Sequence, residues 1–221
     1  MNSVIVTKTY DEPPLCEKEI LRYAGCGKPD SKVISVLKSC VDEIRSKLNY
    51  KVCYRKLPVS VNGFCCDFGA FKVLSKNLAD NLKDCSSVVV FAATIGVEID
   101  RFIAKYGRIE PSKALMIQAV GTERIETLCD TFCSDIRQQK GIKTRSRFSP
   151  GYGDLPIETQ RDIFSVLDCP KHIGLTLNDS MIMSPSKSVT AFMGISEVGE
   201  ERTSEKCSNC GKIDCVFRGR I

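Results

Sequence analysis

Residues 111–140 carry apolar side chains at helical spacing without a break. Ala114, Ile117, Gly121, Ile125, Leu128, Cys129, Phe132 and Ile136 fall on one stripe. Pro111 suits the first turn of a helix, and Gly141 suits its stop. Most of the stability of such a helix comes from packing its apolar face, so this stripe is predicted to be buried. Glu126 lies about 100° round from Ile125, at the edge of the stripe. A carboxylate there is either a solvated flank or a group facing a cleft.

The remaining segments surround this helix. Residues 1–12 read as a short strand or arm, and 15–23 as a helix entered through Pro13-Pro14 and stopped by Gly25 and Gly27. Ser31 is the expected N-cap of a second helix, with Val33, Val36, Leu37, Cys40, Val41, Ile44 and Leu48 on one face. Tyr50, Val52 and Tyr54 alternate with polar or small residues as in a strand that continues past Pro58. Asn62-Gly63 is a hairpin turn signal, with 64–68 as the return strand. The adjacent Cys65 and Cys66 should point to opposite faces of that strand. Residues 71–82 read as an amphipathic helix.

Three consecutive valines in 86–91 mark a buried strand that runs into the small residues 92–96, followed by a helix over 97–106. A helix over 156–167, with Asp154 as a candidate cap, precedes two strand-like segments, 173–183 and 188–195, read as a hairpin-like pair. The expected fold class is α+β: a twisted, mainly antiparallel sheet with several flanking helices.

Between the long helix and that last helix lies Arg145-Ser146-Arg147-Phe148-Ser149-Pro150-Gly151-Tyr152-Gly153-Asp154-Leu155-Pro156. Pro150 restricts one torsion, while Gly151 and Gly153 admit conformations closed to other residues. Arg147 offers a planar fork suited to a carboxylate or phosphate. The expectation is a rigid turn with bare backbone N–H groups and an aromatic face, a cradle for a charged ligand with a flat ring. The alternative is a tight connector whose Tyr152 caps the core.

The ordered series Arg147 to Tyr152, Pro156, Gln160, Ile173-Gly174-Leu175-Thr176-Leu177, Ser180, Met183, Pro185 and Ser188-Val189 resembles the S-adenosylmethionine-binding activation domain of vitamin B12-dependent methionine synthase. The resemblance is dense over about 110–195 and weak before it. It implies that Arg147 grips the carboxylate of adenosylmethionine and that backbone groups of Ser149 and Gly151 contact it. It also implies that Tyr152 flanks the site and that Glu126 accepts from ammonium or hydroxyl groups. Ser149 stands where the family commonly has Ala. The function implied is reactivation of oxidised cobalamin by reductive methylation, in support of methionine biosynthesis, with a flavodoxin-like electron donor. The Asp-x-His-x-x-Gly motif of a cobalamin-binding module does not occur in the sequence. The corrinoid is therefore expected on a separate methionine synthase or methyltransferase protein.

Composition shifts to charged and polar after residue 196, so the expected division is 1–196 for the domain and 197–221 for a Cys-rich tail. Cys207 and Cys210 have the two-residue gap of thiolate ligands to zinc or an iron–sulfur cluster, and Cys215 supplies a third. Cys169, His172, Cys16 or Cys26 are candidates for a fourth ligand. This tail supports an alternative reading, a zinc or iron–sulfur redox or docking accessory with no methyl-transfer role of its own.

Thirteen Cys without a secretion signal point to a reducing cytoplasm, with Cys40, Cys53, Cys129 and Cys133 as small core residues. The net charge of +5 is spread along the chain, which argues against nucleic acid, and no apolar run is long enough to span a membrane. Metal analysis of purified protein is expected to find zinc or iron; a metal-free, colourless protein prepared without oxygen would contradict the assignment to Cys207, Cys210 and Cys215.

Overall fold

The computed structural model describes residues 4–139 and 143–196. Its centre is a five-stranded antiparallel sheet in the order β1-β2-β6-β10-β7. These strands are β1 (Val6–Tyr10), β2 (Tyr50–Pro58), β6 (Ser87–Thr94), β7 (Lys143–Thr144) and β10 (Ser188–Ser196). Every residue of β6 is buried, as its valines require, because helices or small sheets cover both faces.

Alternation along β6 separates the two cores. Val89, Phe91 and Ala93 face α1 (Glu17–Tyr23), α2 (Ser31–Ile44), α4 (Glu98–Tyr106) and α5 (Pro111–Arg137). Val88, Val90 and Ala92 face α3 (Lys76–Asn81), α6 (Thr159–Leu167) and α7 (Cys169–Ile173). The small antiparallel sheet of β3 (Ser60–Asn62), β4 (Cys65–Asp67) and β5 (Lys72–Leu74) joins this second layer. The architecture is the expected mixed one: a curled antiparallel sheet with flanking helices.

The expected stripe of α5 is buried along its whole length, from Ala114 through Gly121 to Ile136. Ala, Ile, Leu, Cys and Phe side chains of that face lie against Phe91, Ala191 and Met193 of the sheet. Gly121 permits a close approach: a Cβ there would sit 2.9 Å from Ile99 Cγ2 and 3.1 Å from Lys187 Cγ and Cε. On the opposite side of α5 the buried Glu123 and Arg124 hold the N-terminal segment. Arg124 donates to Pro13 O at 2.6 Å and Pro14 O at 2.8 Å, and Glu123 accepts from Cys16 N at 3.0 Å.

Several sequence expectations are corrected. Asp30, not Ser31, caps α2, its side chain accepting from Val33 N. Residues 71–82 do not form one helix: 72–74 pair with β4, and Ser75 caps α3 with its side chain on Leu78 N. Strand pairing by Val73 against Cys66 outweighs the helical periodicity. Residues 173–183 and 188–195 are not a hairpin pair. Instead β8 (Thr176–Leu177) pairs with β9 (Met183–Ser184), while β10 pairs with β6 and β7. Cys66 is fully buried and Cys65 partly exposed, as alternation required, and Cys40, Cys53, Cys129 and Cys133 are core residues.

Glu43 on α2 joins α4 and α5. It accepts from Tyr106 at 2.7 Å and Lys105 at 3.1 Å, and pairs with Lys113 at 2.8 Å. The Lys113 contact, then those of Tyr106 and Lys105, hold its carboxyl down to about 2 from 4.5. A depressed folded value means that the contribution is complete above about 4.5 and is lost as pH falls toward 2. Glu43→Gln is expected to cost about 1 kcal/mol at neutral pH and to flatten the decline in melting temperature over that acid range. An unchanged acid profile would contradict this. Gly121→Ala is expected to lower the melting temperature although Ala is the better helix former by about 1 kcal/mol, because the fully buried Ile99 cannot give way. A raised melting temperature would contradict that.

Candidate functional site

The segment after β7 leaves the sheet edge while still paired with β10. Arg145 N donates to Gly194 O at 2.9 Å, and Phe148 and Phe192 exchange both backbone hydrogen bonds at 2.8 Å. The chain then reverses at Gly151, whose φ of +87° is in the left-handed region that favours glycine. Gly151 N donates to Leu155 O at 3.0 Å, Tyr152 N to Ser149 O at 3.1 Å, and Leu155 N to Tyr152 O at 3.0 Å. Leu155 is buried and fastens the far end of the turn in the core. The expected bare N–H groups are therefore not found at Gly151 and Tyr152, which close the turn internally. A ligand here would meet side chains and carbonyl oxygens instead of these two N–H groups.

The turn is tied to α3 at two points. Asp154 accepts from Ser75 Oγ at 2.5 Å, Lys76 N at 2.7 Å and Asn77 N at 3.1 Å. Asn77 Oδ1 in return accepts from Asp154 N at 3.2 Å. Asp154 thus caps α3 across 77 residues of chain, not the neighbouring α6 as expected. The Ser75 hydroxyl, then the Lys76 and Asn77 amides, lower its pKa. Gly153 sits so close to Asn77 that a Cβ would lie 2.7 Å from Oδ1. Asn81 Nδ2 donates to Ser146 O at 3.3 Å, the second tie.

So held, Arg147 points at α5. Its Nη2 lies 2.5 Å from Glu126 Oε2, and Nη1 pairs with Asp130 one turn further on. The guanidinium is mostly buried, and the two carboxylates are partly exposed. The structure therefore brings together the expected Arg147 and Glu126. It also brings in Asp130, which sequence reasoning missed; its four-residue offset from Glu126, on the same helix face, is the signal that could have found it.

Tyr152 is 65% exposed, at the surface beside this pair and not a cap on the core. Local desolvation and then the Glu126 carboxylate raise its phenol pKa, with Arg147 opposing. The same two causes lead for Tyr23 at the end of α1. Glu126 thus acts on two tyrosines from different ends of the chain, and Tyr23 carries Arg22 over its ring at 4.3 Å. Ser149 is half-buried at the foot of the turn.

Among the described residues the expected metal ligands are not brought together. Cys207, Cys210 and Cys215 lie outside the described residues. Among the described residues no group of three His, Cys, Asp or Glu side chains could hold a metal ion. Of the suggested fourth ligands, Cys169 is fully buried and His172 Nδ1 lies 3.2 Å from Thr7 Oγ1. Among the described residues no helix is long and apolar enough to cross a membrane.

Comparison with known proteins bears on the fold and the family. A solved structure described as the crystal structure of the MetH reactivation domain bound to AdoHcy superposes with a TM-score of 0.66 at 13% identity, covering 89% of this chain and 80% of that one. At such identity the likeness speaks for the fold. No curated protein sequence matches. The profile of the family described as vitamin B12 dependent methionine synthase, activation domain, matches residues 72–208. That span includes β5 through β10, with α5 and the Arg147 turn, and is more than half of the 221 residues. The chain belongs to the family of vitamin B12-dependent methionine synthase activation domains.

Proposed function

We propose that the chain binds S-adenosylmethionine between the Arg147 turn and α5, and that it supports the reductive methylation of cobalamin on a corrinoid-binding partner. The observation that carries this reading is the Arg147–Glu126 pair at 2.5 Å. The amino-acid end of the ligand is a zwitterion. It can divide such a pair, with its carboxylate on Arg147 and its ammonium on Glu126, and replace one ion pair by two without leaving a charge unmatched. Arg147 would keep Asp130 throughout, so the fork stays oriented.

The partly exposed carboxylates of Glu126 and Asp130 beside Arg147 suit a ligand that carries a sulfonium and an ammonium as well as a carboxylate. Tyr152 is exposed next to it and offers an aromatic face to the cation or the ring. On this reading backbone groups of Ser149 and Gly151 contact the ligand, the Gly151 N–H being already bonded to Leu155 O. Bound adenosylmethionine supplies the methyl group. The residues of this chain bind and orient it, which is where catalysis by positioning originates. On this reading a flavodoxin-like protein is the electron donor, and the corrinoid is held outside these 221 residues.

The Cys207, Cys210 and Cys215 tail favours a second reading, an accessory that binds zinc or an iron–sulfur cluster and docks on a corrinoid protein without handling the methyl group. Calorimetric titration with adenosylmethionine separates the two. Saturable binding is expected, and Arg147→Ala is expected to lose about 2–3 kcal/mol, roughly a 30- to 150-fold drop in affinity. No binding at millimolar ligand leaves the accessory reading. Unchanged affinity in Arg147→Ala contradicts the role given to Arg147.

A further inference from the structure

Lys187, at the entry to β10, is only 9% exposed. Its stem crosses α5 at Gly121, where an added Cβ would meet Lys187 Cγ and Cε at 3.1 Å. A glycine inside a helix costs about 1 kcal/mol relative to alanine. Here it makes room for a lysine. Lys187 Nζ donates to Thr122 Oγ1 at 2.9 Å, and that hydroxyl donates its own proton to Gln118 O at 2.9 Å.

Among the described residues no carboxylate lies within ion-pair distance of this ammonium. Asp100, which accepts from Ser186 N at 3.1 Å, acts on it only at longer range. An ammonium has three donors, and Thr122 takes one. A buried cation with a single neutral acceptor is expensive unless something else receives its remaining N–H groups. Burial accordingly pulls its pKa below the ordinary lysine value.

The location decides what that acceptor is. Thr122, Glu126 and Asp130 recur every four residues and share one face of α5, over about 12 Å of helix rise. Arg147 meets that face at Glu126 and Asp130, and Lys187 meets it at Thr122. With the amino-acid end of the ligand on Arg147 and Glu126, the ribose, beyond the sulfur, carries the next hydrogen-bond acceptors along the molecule. We propose that Lys187 is a ligand-anchoring residue that donates to the ribose hydroxyls of the adenosyl group, one helical turn from Glu126. The proposal rests on the adenosylmethionine reading of the same site and adds to it a nucleoside-recognising element.

Two probes separate the ends of the ligand: S-adenosylhomocysteine, and 5′-methylthioadenosine, which keeps the nucleoside and lacks the amino-acid end. Calorimetry on the full chain is expected to show Lys187→Met weakening both by about tenfold, while Arg147→Ala weakens S-adenosylhomocysteine far more than 5′-methylthioadenosine. Both probes binding Lys187→Met as they bind wild type overturns the inference and leaves the site reading standing. Loss for S-adenosylhomocysteine alone also overturns it, by moving Lys187 to the amino-acid end. A wild type that binds neither probe overturns the site reading and the inference together. Should Lys187→Met not fold, wild-type protein with 13C-labelled lysine decides. One buried lysine signal is expected to shift on adding 5′-methylthioadenosine, and no shift overturns the inference.

Discussion

Arg147 bridges two carboxylates on α5, and this contact sets where the proline-stiffened turn stands relative to the helix. Both sides of the contact are held from behind. The turn is paired to β10 through Phe148 and Phe192, pinned to α3 by Asp154, and anchored by buried Leu155. The helix lies along the central sheet through its apolar stripe. A mostly buried guanidinium between two rigid supports cannot relax far when its partners change. That is the condition for a zwitterion to exchange with Glu126 instead of displacing the whole arginine.

The other side of α5 has a different task. Glu123 and Arg124 are almost completely buried, and their hydrogen bonds go to Pro13, Pro14, Cys16 and Thr127. Two opposite charges at this depth are tolerable because backbone carbonyls and an amide satisfy them. The consequence reaches the site. Fixing residues 13–16 fixes the start of α1, and α1 carries Tyr23 to the neighbourhood of Glu126. One helix thus meets three distant parts of the chain, α1, the Arg147 turn and Lys187, which the proposed reading joins into one site.

Much of this was legible in the sequence because strong periodicity reports burial. The α5 stripe, the valine strand β6 and the opposite faces of Cys65 and Cys66 all follow from spacing. The turn was visible as a Pro/Gly cluster with Arg147 inside it, whereas Glu126, at the edge of the helix stripe, entered the candidate site only through the family resemblance. What was hidden is decided by contacts between remote residues. Asp154 looked like a cap for the next helix and instead caps α3, because Ser75 and Asn77 are brought to it by the small sheet. Residues 72–74 read as helix and became strand, because β4 offered a partner. Asp130 carries only its four-residue offset from Glu126, and Lys187 carries no local signal. Their importance comes from what the fold places opposite them. The N–H groups of the turn were expected to be free, but those of Gly151, Tyr152 and Leu155 are taken up within the turn itself.

The central claim is that the Arg147–Glu126 pair opens to admit the amino-acid end of an adenosyl ligand. A crystal structure of this chain grown with S-adenosylhomocysteine tests it most directly. The account predicts the ligand carboxylate on the Arg147 guanidinium and its ammonium on Glu126, with the Asp130 contact intact. An unbroken Arg147–Glu126 pair with the ligand bound elsewhere would contradict it.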